Sequence, residues 1–259
     1  MGETLKRVLM TFLFLPILYL SFLDKSNIIF SVLVFFISLL GFLELYFIFK
    51  KKGYFINLWV GIPSIFLIDY LVYIDKTNYL FIVLLVFFII EVFFSIFGKD
   101  FLKSILRLSL GIFSIFYIGI MPASLIVIKK TSYTLLLTII SFTWFCDIGA
   151  YFIGKYFGKN KLGLPISPHK TIEGFIGGVV VSVIFGIITS YLLHVELSFY
   201  LFFLPFLTII GDLFESLIKR GFETKDSSHL IPGHGGILDV FDSLIFTGSI
   251  IFIINTIGV

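Results

Sequence analysis

Runs of about twenty apolar residues recur along the chain, separated by short polar turns, and this pattern constrains the fold more than any other feature. A helix needs about 20 apolar residues to cross a bilayer. Inside lipid, only structures that satisfy every backbone group internally are viable. Nine such runs are read, at 6–23, 27–49, 54–74, 78–98, 103–128, 132–157, 172–194, 197–219 and 236–257. The expected class is therefore all-α: a polytopic integral membrane protein with about nine transmembrane helices. Composition agrees, with 59% of the 259 residues hydrophobic and 14% charged, against about 45–50% and about 25% in soluble domains. The fifth run carries Pro122 and is expected to be kinked or partly re-entrant. The first run lacks a small-x-small cleavage site and reads as a membrane helix, not a cleaved leader. The single cysteine, Cys146, excludes an intrachain disulfide framework and a Cys-rich metal centre.

Lysine and arginine favour cytoplasmic loops. With nine spans, all of them fall on one face except Lys25, Lys76, Lys129 and Lys130. The N-terminus is thus predicted to be cytoplasmic, together with the loop that follows the eighth span. The character of the chain changes near residue 140. Before it, Glu44, Asp69 and Glu91 are the polar residues deep in spans, and no role is assigned to them. After it, polar residues and glycines cluster. This suggests an N-terminal transmembrane scaffold over 1–131 and a C-terminal transmembrane catalytic half over 132–259.

Two clusters carry chemistry. The first runs from Cys146 to Gly178. Asp147 lies inside an apolar run, where a bare carboxylate is costly and needs a partner, a proton or a cation. Lys155, Lys159 and Lys161 follow at the membrane edge, where topology alone would also place them. A Pro-bounded loop then leads to Lys170 and Thr171 at the start of the next helix, an arrangement suited to an anion such as phosphate. The second cluster begins in the eighth span. Asp212, Glu215, Ser216 and Lys219 share one helical face, and Asp239 and Asp242 share another. Between them lie Arg220, Lys225, Asp226 and the turn Pro232-Gly233-His234-Gly235-Gly236. Carboxylates do not bind a triphosphate directly, but they hold a divalent cation that does. Lysine and arginine take the remaining phosphate oxygens. A hard-oxygen donor set favours Mg²⁺ over zinc. The plainer alternative for Asp212 and Asp239 is an intramembrane ion pair with Lys219 or Arg220. His229 and His234 read equally well as loop histidines bonded to backbone.

The stretch from Ser216 to Asp242 closely resembles the signature of the phosphatidate cytidylyltransferases, or CDP-diacylglycerol synthases. It matches through Ser216, Lys219, Arg220, Lys225, Asp226, the Pro232–Gly236 turn, Asp239 and Asp242. An upstream block also matches, through Asp147, Gly154, Lys155, Gly158, Lys159, Ser167, Pro168, Lys170, Thr171 and Gly174. The resemblance covers about residues 140–245. One position departs: the family usually has arginine between its last two aspartates, and this chain has Val240.

The resemblance implies transfer of CMP from CTP to phosphatidic acid, giving CDP-diacylglycerol and pyrophosphate for phospholipid biosynthesis. It implies Asp212 and Asp239 as leading metal ligands, with Asp242 and Glu215 next, holding Mg²⁺ and, in a paired-cation version, a second ion. Lys219, Arg220, Lys225, Asp226 and His234 become catalytic residues. Asp147, Lys155, Lys159, Ser167, Lys170, Thr171 and Ser216 become substrate-binding residues. The implied setting is the cytoplasmic (inner) membrane with the site facing the cytoplasm, and a homodimer is compatible with it. Two other readings use the same residue types: a CTP-dependent lipid kinase, and a cation-coupled transporter built on intramembrane acids.

Overall fold

The computed structural model describes residues 16–228, 230–231 and 235–257. Most of the expected first span lies outside them, as do His229 and His234; residues 16–23 are helical. The helices are α1 (Ile28–Lys50), α2 (Leu58–Tyr73), α3 (Leu80–Ile96), α4 (Phe101–Ser114), α5 (Met121–Thr131), α6 (Tyr133–Phe157), α7 (Ile172–Leu192), α8 (Leu204–Gly221) and α9 (Leu238–Ile257). Among the described residues no strand forms. Two isolated bridges do, Lys161 with Thr171 and Ile231 with Gly235.

Seven helical stretches among the described residues are long and apolar enough to cross a membrane: 28–50, 77–96, 101–131, 133–157, 172–192, 199–221 and 238–257. The sixteen-residue α2 is shorter. The chain is thus an integral membrane protein, and the sequence count of nine spans is approximate. Helix starts follow the expected chemistry. The side chains of Asn57, Asp100, Ser132 and Thr171 each accept a backbone N–H from the first turn of the helix that follows. The kink expected near Pro122 takes a specific form. α4 and α5 join through a π-helical turn, Ile115–Ile120, directly before Met121 and Pro122. The wider turn accommodates a ring that would otherwise clash with a carbonyl one turn back.

The chain forms two compact units, residues 1–127 with 226–240, and residues 128–225 with 241–259. In the first, α1 packs on α2, α2 on α3, and α3 on α4. Phe42, Leu45, Ile48 and Phe49 of α1 and Ile65 and Ile68 of α2 are fully buried. Residues 226–240 join this unit although the whole of 128–225 separates them from the rest of it.

In the second unit the dominant packing is α6 on α7, through glycine faces. A Cβ at Gly174 would lie 2.9 Å from the Ala150 carbonyl, and one at Gly178 would lie 2.9 Å from the Cys146 carbonyl. Only glycine lets the backbones approach this closely, as small residues do in membrane helix pairs. Hydroxyls fasten the same unit. Ser182 Oγ donates to the Phe142 carbonyl at 2.6 Å, and Ser243 Oγ donates to the Thr208 carbonyl at 3.1 Å.

Candidate active site

The second unit gathers six of the expected residues. Gly211 sets the arrangement: its missing Cβ would lie 2.9 Å from Phe246 Cβ, 3.0 Å from Ser243 Cα and 3.2 Å from the Asp242 carbonyl. α8 and α9 therefore touch where Asp212 and Asp242 follow and precede the contact. Asp242 is buried, its Oδ1 accepts from the Ser243 N–H at 2.5 Å, and it lies within electrostatic reach of Asp212, Glu215 and Asp147. Asp147 is open to the surface in the middle of α6, yet it feels Asp212 and Lys170. Charged neighbours of this kind are what make an intramembrane carboxylate tolerable.

Two lysines enter the same cluster. Lys170 Nζ contacts Asp212 Oδ2 at 2.5 Å, with side chains 28% and 37% exposed. Lys219 pairs with Glu215 one turn earlier on α8, with side chains 12% and 2% exposed. The ion pairs that the sequence offered as the plainer alternative for Asp212 thus form, but with Lys170 as the partner. Four carboxylates face two lysines, and Ser216 lies half-buried on the same helix.

Lys170 is delivered by an ordered loop. Leu162 N–H donates to the Lys170 carbonyl at 2.8 Å, Ile172 N–H donates to the Asn160 carbonyl at 2.9 Å, and the loop doubles back on itself. Glu173, in the first turn of α7, clamps the far side. Its carboxylate accepts from Lys159 N–H at 3.1 Å and from Asn160 N–H and Nδ2 at 3.1 and 2.7 Å. Thr171 is spent as the helix cap, its Oγ1 accepting from Gly174 N–H at 3.1 Å. Ser167 closes a turn, with its N–H on the Leu164 carbonyl at 3.0 Å. Lys155 and Lys159 are exposed, and Lys155 sits over the rings of Tyr151 and Tyr156 at 5.5 and 5.7 Å, the habit of an interfacial anchor.

The remaining described candidates have other surroundings. Arg220 Nη1 donates to the Thr224 carbonyl at 3.1 Å and closes the turn after α8. Lys225 and Asp226 are exposed. Asp239 belongs to the first unit, where its Oδ2 accepts from Ser227 N–H at 3.0 Å, Ser227 Oγ at 2.7 Å and Gly236 N–H at 2.7 Å. Beside it stands a residue to which the sequence assigned nothing. Glu44, 3% exposed, accepts from Ser228 Oγ at 2.6 Å, Ile237 N–H at 2.8 Å and Leu238 N–H at 2.9 Å, and lies 3.0 Å from Ser227 Oγ. Glu44 and Glu173 were legible only as acids in or beside apolar runs; their partners lie elsewhere in the chain.

Among the described residues no three His, Cys, Asp or Glu side chains converge as a ready-made metal cage. The donor chemistry of the second-unit cluster nevertheless suits a hard divalent ion. All its donors are oxygens, and four carboxyl groups outnumber the two lysines set among them.

Fold and cluster together define a class: an integral membrane protein with a partly buried acid–lysine cluster joined by a lysine-bearing loop. The chain belongs to the cytidylyltransferase family, whose model matches residues 5–257. It is similar to proteins named phosphatidate cytidylyltransferase. The one from Bacillus subtilis (strain 168) is 46% identical over 108 residues, which is 40% of each chain. The Staphylococcus haemolyticus protein is 47% identical over 108 residues, 40% of this chain and 42% of the relative. The Staphylococcus saprophyticus protein is 41% identical over 140 residues, 51% of this chain and 53% of the relative. The matched stretches thus span about half the length of these relatives or less.

Proposed function

We propose that the protein transfers CMP from CTP to phosphatidic acid, releasing CDP-diacylglycerol and pyrophosphate. The observation that carries this is the clustering of Asp147, Lys170, Asp212, Glu215, Lys219 and Asp242 in one unit of a membrane-spanning member of the cytidylyltransferase family. A phosphatidate phosphate oxygen attacks the α-phosphorus of CTP, and the bond from that phosphorus to the β-phosphate bridge breaks. The second pKa of a phosphomonoester is about 6, so the nucleophile is ionised at neutral pH and needs no dedicated base. The difficulty is the meeting of two polyanions.

Asp212, Asp242 and Glu215 are the candidates to hold Mg²⁺, which when bound supplies charge neutralisation at the phosphates; Asp239 stays a candidate ligand by the resemblance alone. The lysines do the rest. Lys170 and Lys219 rest on carboxylates of the cluster, and their ammonium groups would be the protein's own cations for phosphate oxygens there. Both substrates are then oriented in one cleft, which is the main requirement of phosphoryl chemistry. The basic bias of the loops supports a site at the cytoplasmic face of the inner membrane, where CTP would arrive from water and phosphatidate from lipid.

The test uses purified protein, phosphatidic acid, CTP labelled in the α-phosphate, and Mg²⁺, followed by lipid extraction. Label in a CDP-lipid with release of pyrophosphate supports the reading, and its loss in chelator and in Asp212→Asn supports the carboxylate assignment. CDP as the product points to a lipid kinase instead. Full turnover by Asp212→Asn removes the assigned site.

A further inference from the structure

We infer that Glu44 is a positioning residue for the transfer reaction: from the N-terminal half of the chain it fixes residues 226–240, which carry Asp226 and Asp239. Its kinetic consequence rests on the cytidylyl-transfer reading, whereas its structural consequence does not.

Glu44 lies inside α1, in a run of apolar residues, and is almost fully buried. A carboxylate in that position is costly unless its oxygens are fully engaged. Here both are. Oε1 accepts from the Ser228 hydroxyl and from the Ile237 N–H, and Oε2 accepts from the Leu238 N–H and lies 3.0 Å from the Ser227 hydroxyl. The two backbone donors belong to the start of α9, among the groups that no helix can satisfy internally. Glu44 therefore acts as the cap of α9, supplied from 190-odd residues earlier in the chain, and the positive end of that helix meets its charge.

The arrangement demands a group that only accepts. Each oxygen faces one backbone N–H that cannot be reversed. Glutamine, in either orientation, would set its own NH₂ against one of them. Aspartate is one methylene shorter. A second observation points the same way. A Cβ at Gly236 would lie 1.9 Å from Ser227 Oγ and 2.4 Å from Glu44 Oε1, so the Glu44 cluster occupies the space of any side chain at residue 236. Packing agrees as well, because Gly41, three residues before Glu44 on α1, would meet the Leu238 side chain at 3.2 Å.

From Glu44 the network continues to a candidate site residue. The Ser227 hydroxyl lies between Glu44 and Asp239, 2.7 Å from Asp239 Oδ2, and Ser227 and Gly236 also give Asp239 their backbone N–H groups. Glu44 thus fixes the segment that fixes Asp239, without touching substrate itself. In reactions governed by orientation, misplacement by about 1 Å costs about 10²-fold in rate.

The test compares Glu44→Gln and Gly236→Ala with the wild type in phosphatidate-containing nanodiscs, well below the unfolding temperature. Hydrogen exchange at the Ile237 and Leu238 amides is measured first, then kcat and the CTP KM. We expect amide exchange to accelerate at least about 10-fold and kcat to fall about 10²-fold, with the CTP KM within about threefold. Unchanged exchange in Glu44→Gln overturns the inference, and so does wild-type kcat alongside faster exchange. A role in stability alone lowers the unfolding temperature and leaves kcat of the folded fraction intact, which also overturns it. If Glu44→Gln does not fold, Gly236→Ala decides, because it displaces the same network with the carboxylate retained. A wild type that transfers no CMP overturns the cytidylyl reading, and the exchange measurement still decides whether Glu44 positions the segment.

Discussion

Replacing Gly211 with alanine tests whether the α8–α9 contact sets the site. The added Cβ would lie 2.9 Å from Phe246 Cβ and 3.0 Å from Ser243 Cα. Non-bonded carbons prefer about 3.5–4.0 Å, so α8 and α9 must separate by roughly half an ångström to one ångström at this point. Overpacking of this kind costs about 1–3 kcal/mol. Alanine recovers about 0.5–1 kcal/mol of helix propensity over glycine. The net loss is about 0–2.5 kcal/mol, a fall of a few degrees in the unfolding temperature. The catalytic effect should be comparable in energy and easier to read. Asp212 is next to Gly211, and Asp242 is next to Ser243, so the helices part beside the two carboxylates proposed to share a cation. A displacement of that size corresponds to about 10–10² in rate. The assay is kcat at saturating CTP, paired with a thermal melt on the same preparation. A Gly211→Ala protein that melts near the wild-type temperature and turns over at the wild-type rate would refute the argument.

Two further substitutions probe charge. Lys170→Met removes the partner that Asp212 holds at 2.5 Å, with the lysine 28% exposed. A charge-assisted contact of a partly solvated lysine is worth about 1–2 kcal/mol, so the CTP KM should rise about 5–30-fold while the Mg²⁺ concentration for half-maximal rate falls. A KM that does not move would remove Lys170 from phosphate binding. Asp69 is 3% exposed, neither of its oxygens has a hydrogen-bond partner, and it lines a cavity of about 140 Å³ with Ser31, Phe35 and Phe66. Asp69→Leu fills that space and removes an unmet polar burial worth about 1–3 kcal/mol, so the melt in detergent should rise by several degrees. A lower melting temperature would contradict this.

The sequence was informative where a signal is local. Apolar runs announce the helices, because a bilayer accepts little else at that length. Cap residues such as Ser132 and Thr171 announce helix starts. Helical spacing put Asp212, Glu215 and Lys219 on one face, and the Lys219–Glu215 pair follows from that i,i+4 spacing. It could not find the partner of Asp212, because Lys170 arrives from a loop 42 residues away. Nor could it value Glu44, whose donors lie 183–194 residues along the chain. Asp239 and Asp242 look alike in sequence, three residues apart on one helix. Their surroundings differ: hydrogen-bond donors converge on Asp239 and other carboxylates on Asp242. Spacing within a helix reports a shared face and carries no information about what tertiary packing sets against it.

The long-range cap on α9 also bears on biosynthesis. Glu44 leaves the ribosome nearly two hundred residues ahead of the amides that satisfy it. At about 5–20 residues per second it waits roughly ten to forty seconds. During that interval an acidic side chain in an apolar helix needs water, a proton or the insertion machinery for company. The start of α9 is then the segment that satisfies it, so chains that stall before residue 238 leave that carboxylate unmet.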